Sequence, residues 1–277
     1  MDTNNNGTFR YLEDSSWFKG NTHTHTTASD GGLPVDEVAL RYASSGHDFT
    51  FITDHMCPSA EWAENRSHPV AVFDGVELHG NDSRGSFYHV VCLGTVTGIT
   101  GDTPFEAAME ACRDQGALMI LAHPAWTGNS LEDTDAFGFH GVEVYNNICR
   151  FLNGKDSGAV YWDRMLENNP NTIGFACDDA HLTPQYPVWN GGGIMAQAEE
   201  CKQDSILASL KSGRFYATRG PEIYSMKVSN NTLHVKTSPV QIAWLAGERF
   251  HGTRIAAEFG KELTEFSIQL PDDFSFV

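Results

Sequence analysis

The sequence predicts an α/β fold, a parallel sheet covered by helices, with a small β-rich tail behind it. Three observations carry this. Short apolar runs of strand length alternate with amphipathic stretches of helix length between residues 34 and 213, which is the rhythm of a βαβ chain. Five apolar runs lead directly into histidine or a carboxylate, and parallel α/β folds build their sites at the carboxyl ends of strands. After Pro221 the rhythm changes to alternating runs around an Asn-Asn turn, a hairpin signal. The rhythm by itself does not separate an open sheet from a closed barrel.

The elements follow in order. A first strand runs into His23-Thr24-His25. Residues 34–45, PVDEVALRYASS, read as a helix, with proline at its start and Gly46 after its end. Phe49 to Thr53 is a buried strand, Val70 to Phe73 and Gly75 to Leu78 are two strand candidates, and Phe87 to Leu93 is another. Thr103 to Gln115 reads as a helix capped by Thr103, with Pro104 at its first position and Glu106 completing a capping box. Strands are expected at Leu118 to Leu121, Val142 to Tyr145 and Thr172 to Cys177, and helices at Ala159 to Glu167 and Asp204 to Lys211, the last closed by Gly213. From about residue 222 the runs MKVSNNTLHVKT, IAWLAG, RIAAEF and EFSIQL read as a β-rich tail. The expected division is therefore 1–221 and 222–277. The chain stops at Phe276-Val277 in what reads as the start of another strand, so a truncated tail is one expectation.

The composition narrows the function classes. The 277 residues are 40% hydrophobic, enough to build a core. Asp and Glu number 36 against 18 Lys and Arg, a formal charge of −18, and no basic stripe interrupts it. A binder of long nucleic acid needs Lys and Arg to neutralise phosphates, so that class is disfavoured. No apolar run is long enough for a bilayer, and the N-terminus lacks the basic start and apolar block of a signal peptide. The expectation is a cytoplasmic protein, or one whose signal has been removed, with no membrane partner. The six cysteines form no CxxC pair and several sit in apolar runs, as reduced core residues do.

The chemistry lies where the strands end. His23 and His25 are separated by one residue, which puts both rings on one face of an extended strand. Asp54-His55 follows FTFIT, Glu77 lies in AVFDGVE, His123 follows LMILA, and Asp178-Asp179-Ala180-His181 follows NTIGFAC. Each residue alone has an ordinary reading as a turn, a cap or a solvated edge. Five strands repeating the pattern at equivalent places need a common cause. Imidazole nitrogen with carboxylate oxygen suits zinc, manganese or iron. The donors exceed what one ion can use, so two or three divalent ions are implied. His79 could share a face with Glu77 and competes with His89 for a ligand role. His47, His68, His140, His234 and His251 read as surface or loop histidines.

The order HTHT…D, TDH, GVE…YHVVCLG, AHP, DDAH resembles the PHP (polymerase and histidinol phosphatase) superfamily, from Phe18 to about Pro221. It is similar to the bacterial PHP metal-dependent phosphoesterases, including carbaryl-hydrolase-like metallohydrolases, and FYATRGP followed by a β tail looks like that branch. The resemblance implies a distorted (β/α)7 TIM-like barrel. It implies one ion on His23, His25, Glu77 and Asp179, a second bridged by Glu77 and held by His89 and His123, and a third on Asp30, His55 and His181. His89 is favoured over His79, and Asp179 over Asp178. The catalytic set is then His23, His25, Glu77, Asp179 and His181, with Arg150 and Arg219 as candidate phosphate contacts and His181 or His55 as candidate leaving-group acids. The expected activity is hydrolysis of a small-molecule or nucleotide phosphate ester by a hydroxide held between ions. Carbamate or carboxylic-ester hydrolysis on the same ions is the second reading. Exonuclease action on a short oligonucleotide end follows, and a non-catalytic metal-binding module comes last.

Overall fold

The structure is a computed structural model that describes Tyr11, residues 15–61 and residues 68–271. The expected strand start at Phe276-Val277 lies outside the described residues. In chain order the elements are β1 (Ser16–Asn21), α1 (Val35–Ser44), β2 (Phe49–Ile52), β3 (Ala71–Asn81), β4 (Phe87–Leu93), α2 (Phe105–Asp114), β5 (Leu118–Leu121), α3 (Pro124–Thr127), β6 (Gly141–Asn146), α4 (Asn147–Asn153), α5 (Ala159–Asn168), β7 (Ile173–Cys177), β8 (Gly193–Ala198), α6 (Gln203–Lys211), β9 (Phe215–Thr218), β10 (Ile223–Ser229), β11 (Thr232–Val240), β12 (Ile242–Ala246), β13 (Gly252–Ala256) and β14 (Leu263–Gln269).

Nine strands form one sheet in the order β7-β6-β5-β4-β3-β2-β1-β8-β9. The sheet curls until Thr24, just past β1, bridges in parallel to Ala180, just past β7. Strands β1 to β7 thus make a nearly closed barrel. The sheet is mixed, which corrects the expectation of a parallel one. β1–β2, β2–β3, β5–β6 and β6–β7 are parallel, but β4 runs against both neighbours and β8 against β1 and β9. The cause is the connection. Only a short turn through Asp82 and Ser86 joins β3 to β4, and a parallel crossover needs a dozen or more residues. The reversal has a consequence for the site: β4 brings its first residues, not its last, to the end where its parallel neighbours finish.

Helices cover the barrel through faces set by the 3.6-residue period. α1 buries Val35, Val38, Ala39 and Tyr42, and α2 buries Phe105, Ala108, Met109 and Cys112. The capping box expected on α2 does not form. Pro104 is the cap, the Thr103 hydroxyl accepts from the Thr100 N–H, and Glu106 Oε1 accepts from the Ser83 N–H at 2.8 Å. Tertiary partners outcompeted the local motif. The two strand candidates at 70–78 are one strand, β3, passing through Gly75, where a Cβ would press on the Thr53 methyl at 2.9 Å. Strands β8 and β9 and helix α4 had no expectation.

The tail holds a three-stranded sheet, β10-β11-β14, and the two-stranded β12-β13, both separate from the barrel sheet. Ser229 pairs with Thr232, and the two residues between them, Asn230 and Asn231, have φ of 49° and 57°. Both central residues at positive φ is the signature of the type I′ hairpin turn that asparagine tolerates. Among the described residues, no helix is long and apolar enough to cross a membrane.

Candidate metal centre

The donors converge at the barrel end where the parallel strands finish. The chain past β1 stays extended, so His23 and His25 point inward, and both are fully buried. Thr24 between them points away, its hydroxyl 3.2 Å from the Tyr42 hydroxyl and 3.1 Å from that of Thr50. Glu77 projects from β3 and His55 from the residues just past β2, where the two strands bridge once more. His89 comes from the reversed start of β4. His123 and Asp179 follow β5 and β7, with φ of 28° and 52°. Non-glycine residues are uncommon in that region and collect at sites that over-determine them.

Glu77 lies at the centre. Its Oε2 is 3.0 Å from His23 Nε2, 3.2 Å from His25 Nε2 and 3.3 Å from His55 Nδ1. Its Oε1 is 2.7 Å from His89 Nδ1 and 3.3 Å from His123 Nε2. Asp179 closes the first group, with Oδ1 3.3 Å from His23 Nε2 and 3.0 Å from His25 Nε2. Its Oδ2 lies 3.6 Å from His123 Nε2. A further group sits at the rim, where Asp30 Oδ2 is 3.2 Å from His181 Nε2 and 3.7 Å from His55 Nε2, and Oδ1 is 3.5 Å from His25 Nδ1. Eight of the nine expected ligands fall in overlapping groups that share Glu77, His25 and His55, and His123 joins them through its contacts with Glu77 and Asp179.

The donors fit cations. His23 Nε2 and His25 Nε2 face each other at 3.1 Å while both face the same carboxylate oxygens. The buried His25 Nδ1 has no hydrogen-bond partner. Both rings present Nε2 to the carboxylates of Glu77 and Asp179, and nitrogen with oxygen donors suits divalent zinc, manganese or iron. Burial opposes charge on His23 and His25, yet Asp179 and Glu77 overcome it, raising His23 well above its ordinary pKa and His25 to about 10. Burial would likewise raise Glu77 and Asp179, but the histidines, His23 foremost, hold both well below the carboxylate range. His55, nearer the rim, is pushed down to about 4, chiefly by burial. Without cations this cluster stores protons, which metal ions would displace.

Four residues hold the donors in position: Glu143 and Asn146, which sequence reasoning did not place, and Asp54 and Asp178, which it placed at strand ends without this role. Glu143 on β6 accepts from the His23 ring at Nδ1 (2.7 Å), from the His123 N–H and from Asn146 Nδ2 (both 2.9 Å). Asn146 also donates to Asp179 Oδ2 at 3.1 Å. Burial would raise the Glu143 carboxyl, but the His23 ring keeps it low. The only signal in the sequence was one acidic residue inside the apolar run GVEVY. Asp54 takes the N–H and hydroxyl groups of Thr26 and Ser29, at 2.6 to 3.1 Å, and so clamps the loop that carries Asp30. Asp178 accepts from the N–H groups of Asn190, Gly191 and Gly192, from Asn21 and from the Tyr42 hydroxyl. Its carboxylate is spent on that segment, while Asp179 faces the histidines.

His79 lies directly opposite His89 in the β3–β4 ladder, exposed, with Nδ1 3.1 Å from His55 Nδ1. Arg150 is exposed on α4, and the exposed Arg219 guanidinium stacks 4.1 Å over the Tyr145 ring. Among the described residues, no lysine or arginine forms an ion pair or hydrogen bond with the cluster. His47, expected at the surface, is instead buried against Tyr42, its Nδ1 2.8 Å from the Ser45 hydroxyl.

No family model matches the chain, and no curated protein does. Solved structures do. A two-domain protein from Bacteroides vulgatus, described as containing a predicted PHP-like metal-dependent phosphoesterase, superposes with TM-score 0.58 at 15% identity, over 93% of this chain and 87% of that one. An amidohydrolase from Chromobacterium violaceum, solved with sulfate and no metal, gives TM-score 0.44 at 19% identity, over 58% and 87%. The first likeness spans both the barrel and most of the tail, and it is a likeness of fold. This chain has the fold of that PHP-like phosphoesterase.

Proposed function

We propose that this chain is a PHP-superfamily metal-dependent hydrolase, acting on a small-molecule phosphate ester. The observation that carries the reading is Glu77, a buried carboxylate with one oxygen on His23, His25 and His55 and the other on His89 and His123. That arrangement suits a carboxylate bridging two cations. His23, His25, Glu77 and Asp179 would hold one ion, Glu77, His89 and His123 a second, and Asp30, His55 and His181, with His25, a third. Bound divalent ions supply acidified water and positive charge for the oxygens of the transition state.

The chain's own residues bind and orient. Glu143 fixes the His23 ring by its Nδ1 and leaves Nε2 for the site. The Asp179 carbonyl, 3.0 Å from His181 Nδ1, takes that N–H and turns Nε2 toward Asp30. His181 is then committed as a nitrogen donor and is a poor candidate for the leaving-group acid. With a formal charge of −18, the protein needs the ions to receive an anionic ester.

A second reading, hydrolysis of a carbamate or carboxylic ester, is favoured by one observation, that among the described residues no lysine or arginine contacts the cluster. A neutral ester needs none. Protein loaded with Mn2+ or Zn2+ and assayed on phosphomonoesters, phosphodiesters, nucleotides and aryl carbamates beside an Asp179→Ala control tests both. Metal-dependent turnover of a phosphate ester is expected. Turnover of carbamates alone selects the second reading, and no turnover on any substrate rejects both.

A further inference from the structure

The β3–β4 hairpin extends beyond the level of the donors. In its ladder Glu77 faces Val91, His79 faces His89, and Asn81 faces Phe87. Side chains two apart share a face, so Glu77, His89 and Phe87 form a line running outward from the buried carboxylate. Exposure rises along it, from 1% at Glu77 to 41% at Phe87. The Phe87 ring stands 5.3 Å from His89, edge to face. On the other side α3 presents Trp126, 37% exposed, 5.9 Å from the His89 ring and 5.3 Å from that of His123.

Two large aromatic side chains therefore stand exposed against the two histidines that contact Glu77 Oε1. Neither joins a core cluster of the barrel. Exposed aromatics beside convergent polar groups are a usual composition of a small-molecule site. Their position is held, since Asn129 after α3 donates to the Phe87 carbonyl at 2.8 Å and so ties α3 to the start of β4.

Resting on the hydrolase reading, we propose that Phe87 and Trp126 form a subsite for a planar aromatic group of the substrate, seated over His89 and joined to the scissile centre by one or two bonds. Both aromatic rings stand within 6 Å of the rings of donors to Glu77, and aromatic faces and edges reward a flat ring over an alkyl chain.

The test uses equilibrium binding, so that it does not depend on turnover. Mn2+-loaded protein is titrated by calorimetry with phenylphosphonate against methylphosphonate, and with the uncleavable carbamate isosteres N-methylphenylacetamide against N-methylpropanamide. The aromatic member of at least one pair should bind about tenfold tighter. Trp126→Ala and Phe87→Ala should each cut that ratio severalfold at unchanged metal content, and Trp126→Phe should restore most of it. No aromatic preference in either pair, or a preference unchanged in both alanine variants, overturns the subsite. Failure of the phosphonates alone to bind counts against the phosphoesterase reading and leaves the carbamate-isostere ratio to decide the subsite.

Discussion

Replacing Glu143 with glutamine tests how much of the centre depends on a residue outside the donor set. The residue is 2% exposed and its carboxylate serves three donors, His23 Nδ1 at 2.7 Å, the His123 N–H at 2.9 Å and Asn146 Nδ2 at 2.9 Å. A carboxamide of the same shape has one oxygen. If that oxygen faces His23, the new NH2 meets the His123 N–H and the Asn146 amide, donor against donor. Stranding buried donors costs about 1–3 kcal/mol each. If the amide turns the other way, His23 loses the partner that fixes its ring, and outer partners of this kind are worth about 10–100-fold in metal affinity, or about 1.4–2.7 kcal/mol. A competition titration against a chromophoric chelator reads the tightest ion, and urea denaturation reads stability. We expect at least one of the two to fall by these amounts, with the affinity loss greatest for the ion on His23. A variant with metal affinity within twofold of wild type and an unchanged urea midpoint refutes the reasoning.

Four further outcomes follow from the same structure. Asp30→Ala should lower bound metal by one ion per chain while leaving the His23 and His89 groups loaded, because Asp30 reaches those groups only through the outer nitrogens of the shared His25 and His55; loss of all metal would contradict this. Chelator-treated protein should lose all turnover and regain it with Mn2+ or Zn2+, releasing protons on reloading because the metal-free cluster holds His23 and His25 protonated; a pH-stat reads the release. His47 is pushed down to about 3 by burial and then by Lys19. Between pH 6.5 and about 3 the unfolded chain binds a proton that the folded one refuses, so this stability is complete above 6.5 and lost as pH falls. The drop in urea midpoint from pH 7 to pH 5 should therefore shrink in His47→Gln, and equal drops would count against it. Gly158→Ala should destabilise by about 1–3 kcal/mol, since a Cβ there collides with the Glu143 carbonyl; thermal unfolding measures it, and an unchanged Tm would show that α5 shifts freely.

The sequence by itself determined the type of chain and the inventory of its site. Amphipathic periods located α1, α2, α5 and α6, and apolar runs located most barrel strands, because a buried face leaves its spacing in the order of residues. His23, His25, His55, Glu77, His123 and His181 were legible because an apolar run leads into each of their segments, whereas Asp30, and the choices of His89 over His79 and Asp179 over Asp178, came from the family resemblance. Tertiary structure decided what depends on residues distant in the chain. The reversal of β4 came from a short turn, and only that reversal puts His89 and Phe87 at the mouth. Glu143 gave almost no local signal, and Asp54 and Asp178 showed as strand-end carboxylates but not in their roles, because their partners lie up to 157 residues away and a carboxylate in a strand or turn looks the same whether solvated or buried. The capping box at Thr103 was read wrongly for the same reason, since Glu106 found a better partner in Ser83. Local pattern fixes which side chains a strand can offer; the closing of the barrel fixes which of them meet.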